Sequence, residues 1–149
     1  MSEVIRPTLG SYMSIECFRY LRFGAEDTAG RALIISAGKQ RGHSLKDYLK
    51  GISPDSEAEI AQVLGKILGV DGTRLCLVSS VKQTEIGYEV RVSESACCSG
   101  LTSEVPVCAY SLGVFIGALE VITGKRIAGT ETECTATGLE QCLYVMELL

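Results

Sequence analysis

The chain has no tryptophan and a single histidine, His43. A Ser-His-Asp or Cys-His arrangement could use only that imidazole, and no residue pattern supplies its partners. No catalytic residue is therefore assigned. There is no GxGxxG and no P-loop, so nothing points to a nicotinamide, a flavin or a nucleoside triphosphate. No apolar run is long enough to cross a bilayer. The opening MSEVIRPTLG lacks a basic stretch followed by an apolar one, so neither a leader nor a transmembrane segment is expected, and the expected location is cytoplasmic. No cluster of Lys or Arg stands out, and the net charge is −4. Nucleic acid is therefore not an expected partner.

What remains is an ordinary globular composition. The chain has 149 residues, 46% of them hydrophobic. That favours one domain over residues 1–149, with a core that needs no covalent staples. Seven cysteines in a chain expected to be cytoplasmic argue for metal or thiol chemistry rather than a disulfide framework. Several of the 16 glycines fall inside apolar segments, which suggests close backbone packing or a cavity wall.

Hydrophobic periodicity places the elements. Ser14 is read as the cap of a first helix that runs to about Phe23, with Gly24 beyond it and Ile15, Phe18 and Leu21 facing inward. Small residues at helical spacing from Gly30 through Gly42 make a second helix, in which Gly38 and Gly42 allow another element close. His43 at its end reads as a helix-terminus partner. A helical turn over 44–50 precedes a clear helix, with Ser53 as cap, Pro54 at its first position, and Ile60, Val63, Leu64, Ile67 and Leu68 on one face. Strands follow at 74–81 and from Ile86, where Ile86, Tyr88, Val90 and Val92 alternate inward. A loop holds Cys97 and Cys98, adjacent thiols that cannot easily ligate one metal together and are read as bystanders. Pro106 opens a helix to about Ile122 that is apolar nearly all round and must be buried. Strands at 126–133 and 139–149 close the chain, with Cys142, Tyr144, Met146 and Leu148 sharing a face.

The last third carries the chemistry. Cys108, Glu131, Cys134 and Cys142 are three soft thiols and a carboxylate, a plausible tetrahedral zinc set that would tie a helix to a hairpin. On spacing alone, buried core thiols account for these residues better than a metal site does.

This stretch resembles the V4R (4-vinyl reductase) family, in which a Cys, a Glu-x-x-Cys some two dozen residues on and a final Cys form a zinc site. A second match lies upstream in ALIISAGKQRGHSL. The resemblance implies a structural Zn²⁺ on Cys108, Glu131, Cys134 and Cys142. It also implies an α+β domain with a four-stranded antiparallel sheet packed with helices, a fold shared with vesicle-tethering (TRAPP) subunits, and a homodimer. Members are described as hydrocarbon-binding, some as sensors of aromatic compounds and others as linked to tetrapyrrole pigments. Phenol-sensing relatives hold the ligand hydroxyl with Trp and His. This chain has no Trp, and its His43 sits elsewhere, so phenol is an unexpected ligand.

Three functions follow. The first is a zinc-stiffened module, sensor or carrier, that binds a hydrophobic small molecule. The second is a pigment-biosynthesis reductase, and the third a scaffold that binds only protein. A full four-ligand shell favours a structural over a catalytic metal, and so the first. No ATPase or DNA-binding region accompanies the domain, so a separate protein partner is expected to receive any signal. The expected pocket lies between the notched helix, with Gly113 and Gly117, and the sheet, lined by Leu112, Phe115, Tyr88, Val90, Tyr144 and Met146.

Overall fold

The computed structural model describes residues 3–149. Helix α1 spans Ile15–Ala29, α2 Arg31–His43, α3 Lys46–Leu49 and α4 Glu57–Leu68. Strands β1 (Leu77–Gln83) and β2 (Gly87–Ser93) follow, then α5 (Ala109–Thr123), β3 (Ile127–Glu133) and β4 (Cys142–Leu148). The strands form one antiparallel sheet in the order β1-β2-β4-β3. The fold is the expected α+β architecture.

The centre of the packing is the pair α2 and α5. Four glycines interlock there. A Cβ on Gly42 would stand 2.7 Å from the Gly117 Cα, and one on Gly113 would stand 2.8 Å from the Lys39 nitrogen. Backbone lies against backbone, so the small-residue face of α2 serves the core and is closed to a second copy of the chain. Helix α5 is buried along most of its length, as its apolar composition predicts. The inward face of the sheet supplies Tyr88, Val90, Val92, Tyr144 and Met146.

Several boundaries differ from expectation, each for a local reason. Helix α1 runs through Gly24 and stops at Gly30, where φ is 90°; an exposed mid-helix glycine costs only about 1 kcal/mol. Its inward face is also rotated. Leu21 is 68% exposed while Arg22 is 3% exposed. The Arg22 guanidinium pairs with Glu26 at 3.0 Å and donates to the Cys97 carbonyl at 2.9 Å, so its charge is met inside the protein. Helix α4 starts at Glu57 rather than Pro54. Ser53 Oγ accepts the Asp55 N–H, and the Pro54 carbonyl accepts the Tyr88 hydroxyl at 2.6 Å, so these residues form a turn. Strand β1 starts late because the Leu75 and Cys76 N–H groups are given to the Leu68 carbonyl. Ile86 precedes β2 and is exposed. Cys108 stands at the N-cap of α5 rather than inside its first turn.

Candidate metal centre and ligand cleft

Four segments converge beneath the N-terminus of α5. Cys108 is its N-cap residue. Cys134 follows the end of β3 and precedes a single 3₁₀ turn over Thr135–Thr137, and Cys142 opens β4. The fourth thiol is Cys98, from the loop between β2 and α5. That loop is pinned from several sides. Ala96 donates to the Leu75 carbonyl and Ser103 to the Ala136 carbonyl, while Arg19 and Arg22 of α1 hold the Ser99 and Cys97 carbonyls. The inward arginine of α1 thus has a structural task, which is to place Cys98.

The Sγ atoms of Cys98, Cys108, Cys134 and Cys142 all lie within 4.8 Å of one another, and all four residues are buried. Cys98–Cys142 is 3.8 Å, and Cys108–Cys134 and Cys108–Cys142 are each 3.9 Å. A regular tetrahedron of sulfurs around Zn²⁺, with bonds of about 2.3 Å, has edges of about 3.8 Å. Three of the six separations already match that edge, and the other three lie within 4.8 Å.

The thiol cluster differs from the expected ligand set by one residue: Cys98 joins Cys108, Cys134 and Cys142, and Glu131 is not among the four. Glu131 is on the inward face of β3, in register with Tyr144. Its carboxylate accepts the Cys108 N–H, with oxygens at 3.0 and 3.3 Å. Burial, followed by the charge of Cys134, pushes its carboxyl up to about 9.

The adjacent thiols part company: Cys98 joins the cluster. Cys97 turns to Ser111 Oγ at 3.2 Å. What could have marked Cys98 is its place in a loop between two elements that both end at the cluster.

Protons are shared unequally among the thiols. Hydrogen bonds from Cys108, Cys142 and Cys98 drive Cys134 far below the ordinary thiol range. Cys108, in contact with Cys134 and Cys142, is driven far above it. Cys98 is lowered to about 6, first by its bond to Cys108. Further donors stand around the sulfurs. Thr135 Oγ1 lies 3.0 Å from Cys98 Sγ, and Ser95 Oγ lies 3.5 Å from Cys108 Sγ. The positive end of the α5 dipole is directed at the same point. Four thiolates around a divalent ion would carry two net negative charges, which these groups would partly offset.

The expected pocket residues lie elsewhere in the packing. Leu112, Phe115, Tyr88, Val90, Tyr144 and Met146 are buried against one another, with the Phe115 and Tyr144 rings 5.4 Å apart. The notches at Gly113 and Gly117 are filled by the backbone of α2, so they leave no cavity for a ligand. A cleft of about 440 Å³ lies instead under the segment that precedes α1. Its walls include Met13, Phe18, Leu68, Leu75, Ala96 and Tyr110. The segment is tied across it by the Tyr12 hydroxyl, which donates to the Gly72 carbonyl at 2.7 Å. Sequence periodicity could not show this cleft, because irregular backbone forms much of its wall.

The fold and cluster together define a class: an α+β domain in which a buried four-thiol cluster joins a helix, a loop and the closing hairpin. Residues 88–148, from β2 through β4, match the family model of the V4R domain. An uncharacterized protein of Methanocaldococcus jannaschii is 30% identical over 60 residues, or 40% of this chain. The match spans about a third of that relative's length, 33%. Among solved structures, the phenol-responsive sensory domain of the transcription activator PoxR, bound to phenol, is similar with a TM-score of 0.68 and 20% identity, over 91% of this chain and 75% of that one. A vinyl-4-reductase family protein of M. jannaschii gives 0.65 and 14%, over 95% and 85%. A trafficking protein particle complex subunit 3 of Naegleria fowleri, covalently bound to palmitic acid, gives 0.57 and 16%, over 91% and 95%. At these identities the likenesses establish the fold.

Proposed function

We propose that this chain is a small-molecule-binding module stiffened by a structural zinc ion, acting as a sensor or carrier of an apolar ligand. The observations that carry the proposal are the cleft of about 440 Å³ and four buried thiols within 4.8 Å of one another, a set that would leave a bound ion no free corner. Cys98, Cys108, Cys134 and Cys142 would fill a tetrahedral shell, and a closed shell supports structure rather than turnover. The ion would replace thiol protons and couple binding to folding. The Mg²⁺- and Ca²⁺-type alternatives are disfavoured because soft thiolates do not suit hard cations. The cleft is within the usual range of ligand sites, and its walls are mostly apolar with few polar groups.

N-phenyl-1-naphthylamine, a neutral apolar fluorophore, tests the site. It is expected to bind saturably at about one per chain. Thr73→Trp, which fills the cleft from its exposed rim, is expected to weaken binding at least tenfold while the zinc content is unchanged. Absence of saturable binding to the wild-type protein would remove the binding-module reading.

The relatives' printed descriptions include a phenol sensor and a fatty-acyl-bound subunit, and both fit an apolar ligand on this fold. A homodimer is part of the same proposal. Since Gly38 and Gly42 are used internally, the contact would fall to α1, where Tyr20 and Leu21 are exposed.

A further inference from the structure

The cleft has charged groups at its edge that an apolar ligand alone would not use. Arg41, from α2, and Arg74, from the turn before β1, both line it, and no Asp or Glu does. Arg22, Arg31 and Arg91 each pair with a glutamate, but among the described residues Arg41 and Arg74 have no carboxylate within ion-pair distance. Each is instead steadied by a neutral neighbour. Arg41 Nη1 donates to Ser44 Oγ at 3.1 Å. Arg74 Nε donates to the Val70 carbonyl at 3.2 Å, and its guanidinium lies 5.1 Å above the Tyr12 ring. Each guanidinium has five N–H donors, so these bonds leave several free. The third polar group is Tyr110, whose ring meets Phe18 edge-on at 5.5 Å and whose hydroxyl is near enough to Arg41 to feel its charge.

In a chain of net charge −4, a cleft with two unpaired guanidiniums and no acid is a local positive site. Its inner wall, by contrast, is Phe18, Leu68, Leu75 and Ala96. Positive edge and apolar depth together select an amphiphile with an anionic head. We propose that the ligand class is a carboxylate with an apolar body, its head held at Arg41 and Arg74 and its body laid against Phe18, Leu68 and Leu75. A guanidinium fork matches a carboxylate with two parallel hydrogen bonds, which a hydroxyl or an amine head cannot accept. This rests on the binding-module reading and narrows it from apolar compounds in general to apolar acids.

The test is displacement of N-phenyl-1-naphthylamine by decanoate and by decanol at pH 7.5, against wild type, Arg41→Met and Arg74→Met. Decanoate is expected to displace the fluorophore at a concentration at least tenfold below that of decanol. Either arginine variant should lose most of that preference while still binding the fluorophore, which also shows that it has folded. Equal displacement by the acid and the alcohol on the wild-type protein overturns the proposal without recourse to any variant. So does an acid preference that survives both substitutions. In both cases the apolar site would stand. If the fluorophore itself failed to bind the wild type, the binding-module reading would fall, and this proposal with it.

Discussion

At the scale of single residues, the account turns on Cys98 and Glu131. Cys98→Ser should abolish the intense visible spectrum of the cobalt-substituted protein and cost much of its stability, because the ion and the fold are coupled. Cys97→Ser should keep that spectrum, since its sulfur is bonded to Ser111. Glu131→Gln should keep four-sulfur ligation but bind the ion about 10–100-fold more weakly, the usual loss when an outer support is removed. A cobalt spectrum that survives Cys98→Ser and disappears in Glu131→Gln would reverse the assignment. Tyr144 offers a second test. Its hydroxyl is buried and, among the described residues, has no hydrogen-bond partner. An orphaned buried hydroxyl costs about 1–3 kcal/mol. Tyr144→Phe should therefore unfold at equal or higher denaturant, and a loss above about 1 kcal/mol would show that the hydroxyl has a partner after all.

At the scale of elements, the α2–α5 contact sets backbone directly against backbone. Gly38→Ala would set a methyl against the backbone of α5, with the Val114 nitrogen at 3.0 Å and the Gly113 Cα at 3.1 Å. Neither can move alone, so a loss of about 1–3 kcal/mol is expected, measured by urea unfolding. Gly113→Leu should be worse and should reduce soluble yield rather than fill a ligand cavity. One end of this joint is latched by Glu120, which meets Lys39 at 2.9 Å and His43 at 2.7 Å and accepts the Ile127 N–H at 3.1 Å. Burial would raise its carboxyl, but the Lys39 bond, the Ile127 N–H and the His43 bond outweigh it and hold the group below its ordinary 4.5. A depressed carboxyl contributes stability that is fully present above the unfolded value and is lost as pH falls through the folded one. Glu120→Gln should thus lower the melting temperature at pH 7, with the difference from wild type shrinking below about pH 4.5. Equal differences at pH 7 and pH 3 would contradict the latch. Much of this level was legible in the sequence. The paired Gly-x₃-Gly spacings and the all-round apolar α5 report packing directly, because only close backbone approach rewards them. The face of α1 was not legible. Periodicity counted Leu21 as core, whereas Arg22 is buried by partners, the Cys97 carbonyl and Glu26, that no local pattern can show.

For the whole molecule, the chain from β2 to β4 holds all four thiols of the cluster, and α1 reaches back to hold the loop that carries Cys98. Three of the four thiols were legible because they share the stretch that carries the family resemblance. The fourth was missed because two adjacent cysteines were judged as a pair rather than singly. The cleft was missed because its walls come from the segment before α1, α4, α5 and the turn before β1, distant in sequence and joined only by folding. Light scattering at micromolar concentration should give twice the chain mass of 16.0 kDa, and Leu21→Glu on α1 should halve it; a wild-type monomer would remove the dimer. The central claim is that the cluster is a closed four-sulfur metal site that stiffens a binding module. X-ray absorption at the zinc edge of protein purified without added metal tests it most directly. The account predicts about one zinc per chain with four sulfur neighbours at about 2.3 Å and no lighter ligand. A first shell containing an oxygen at about 2.0–2.2 Å, or protein that carries no zinc, would contradict it.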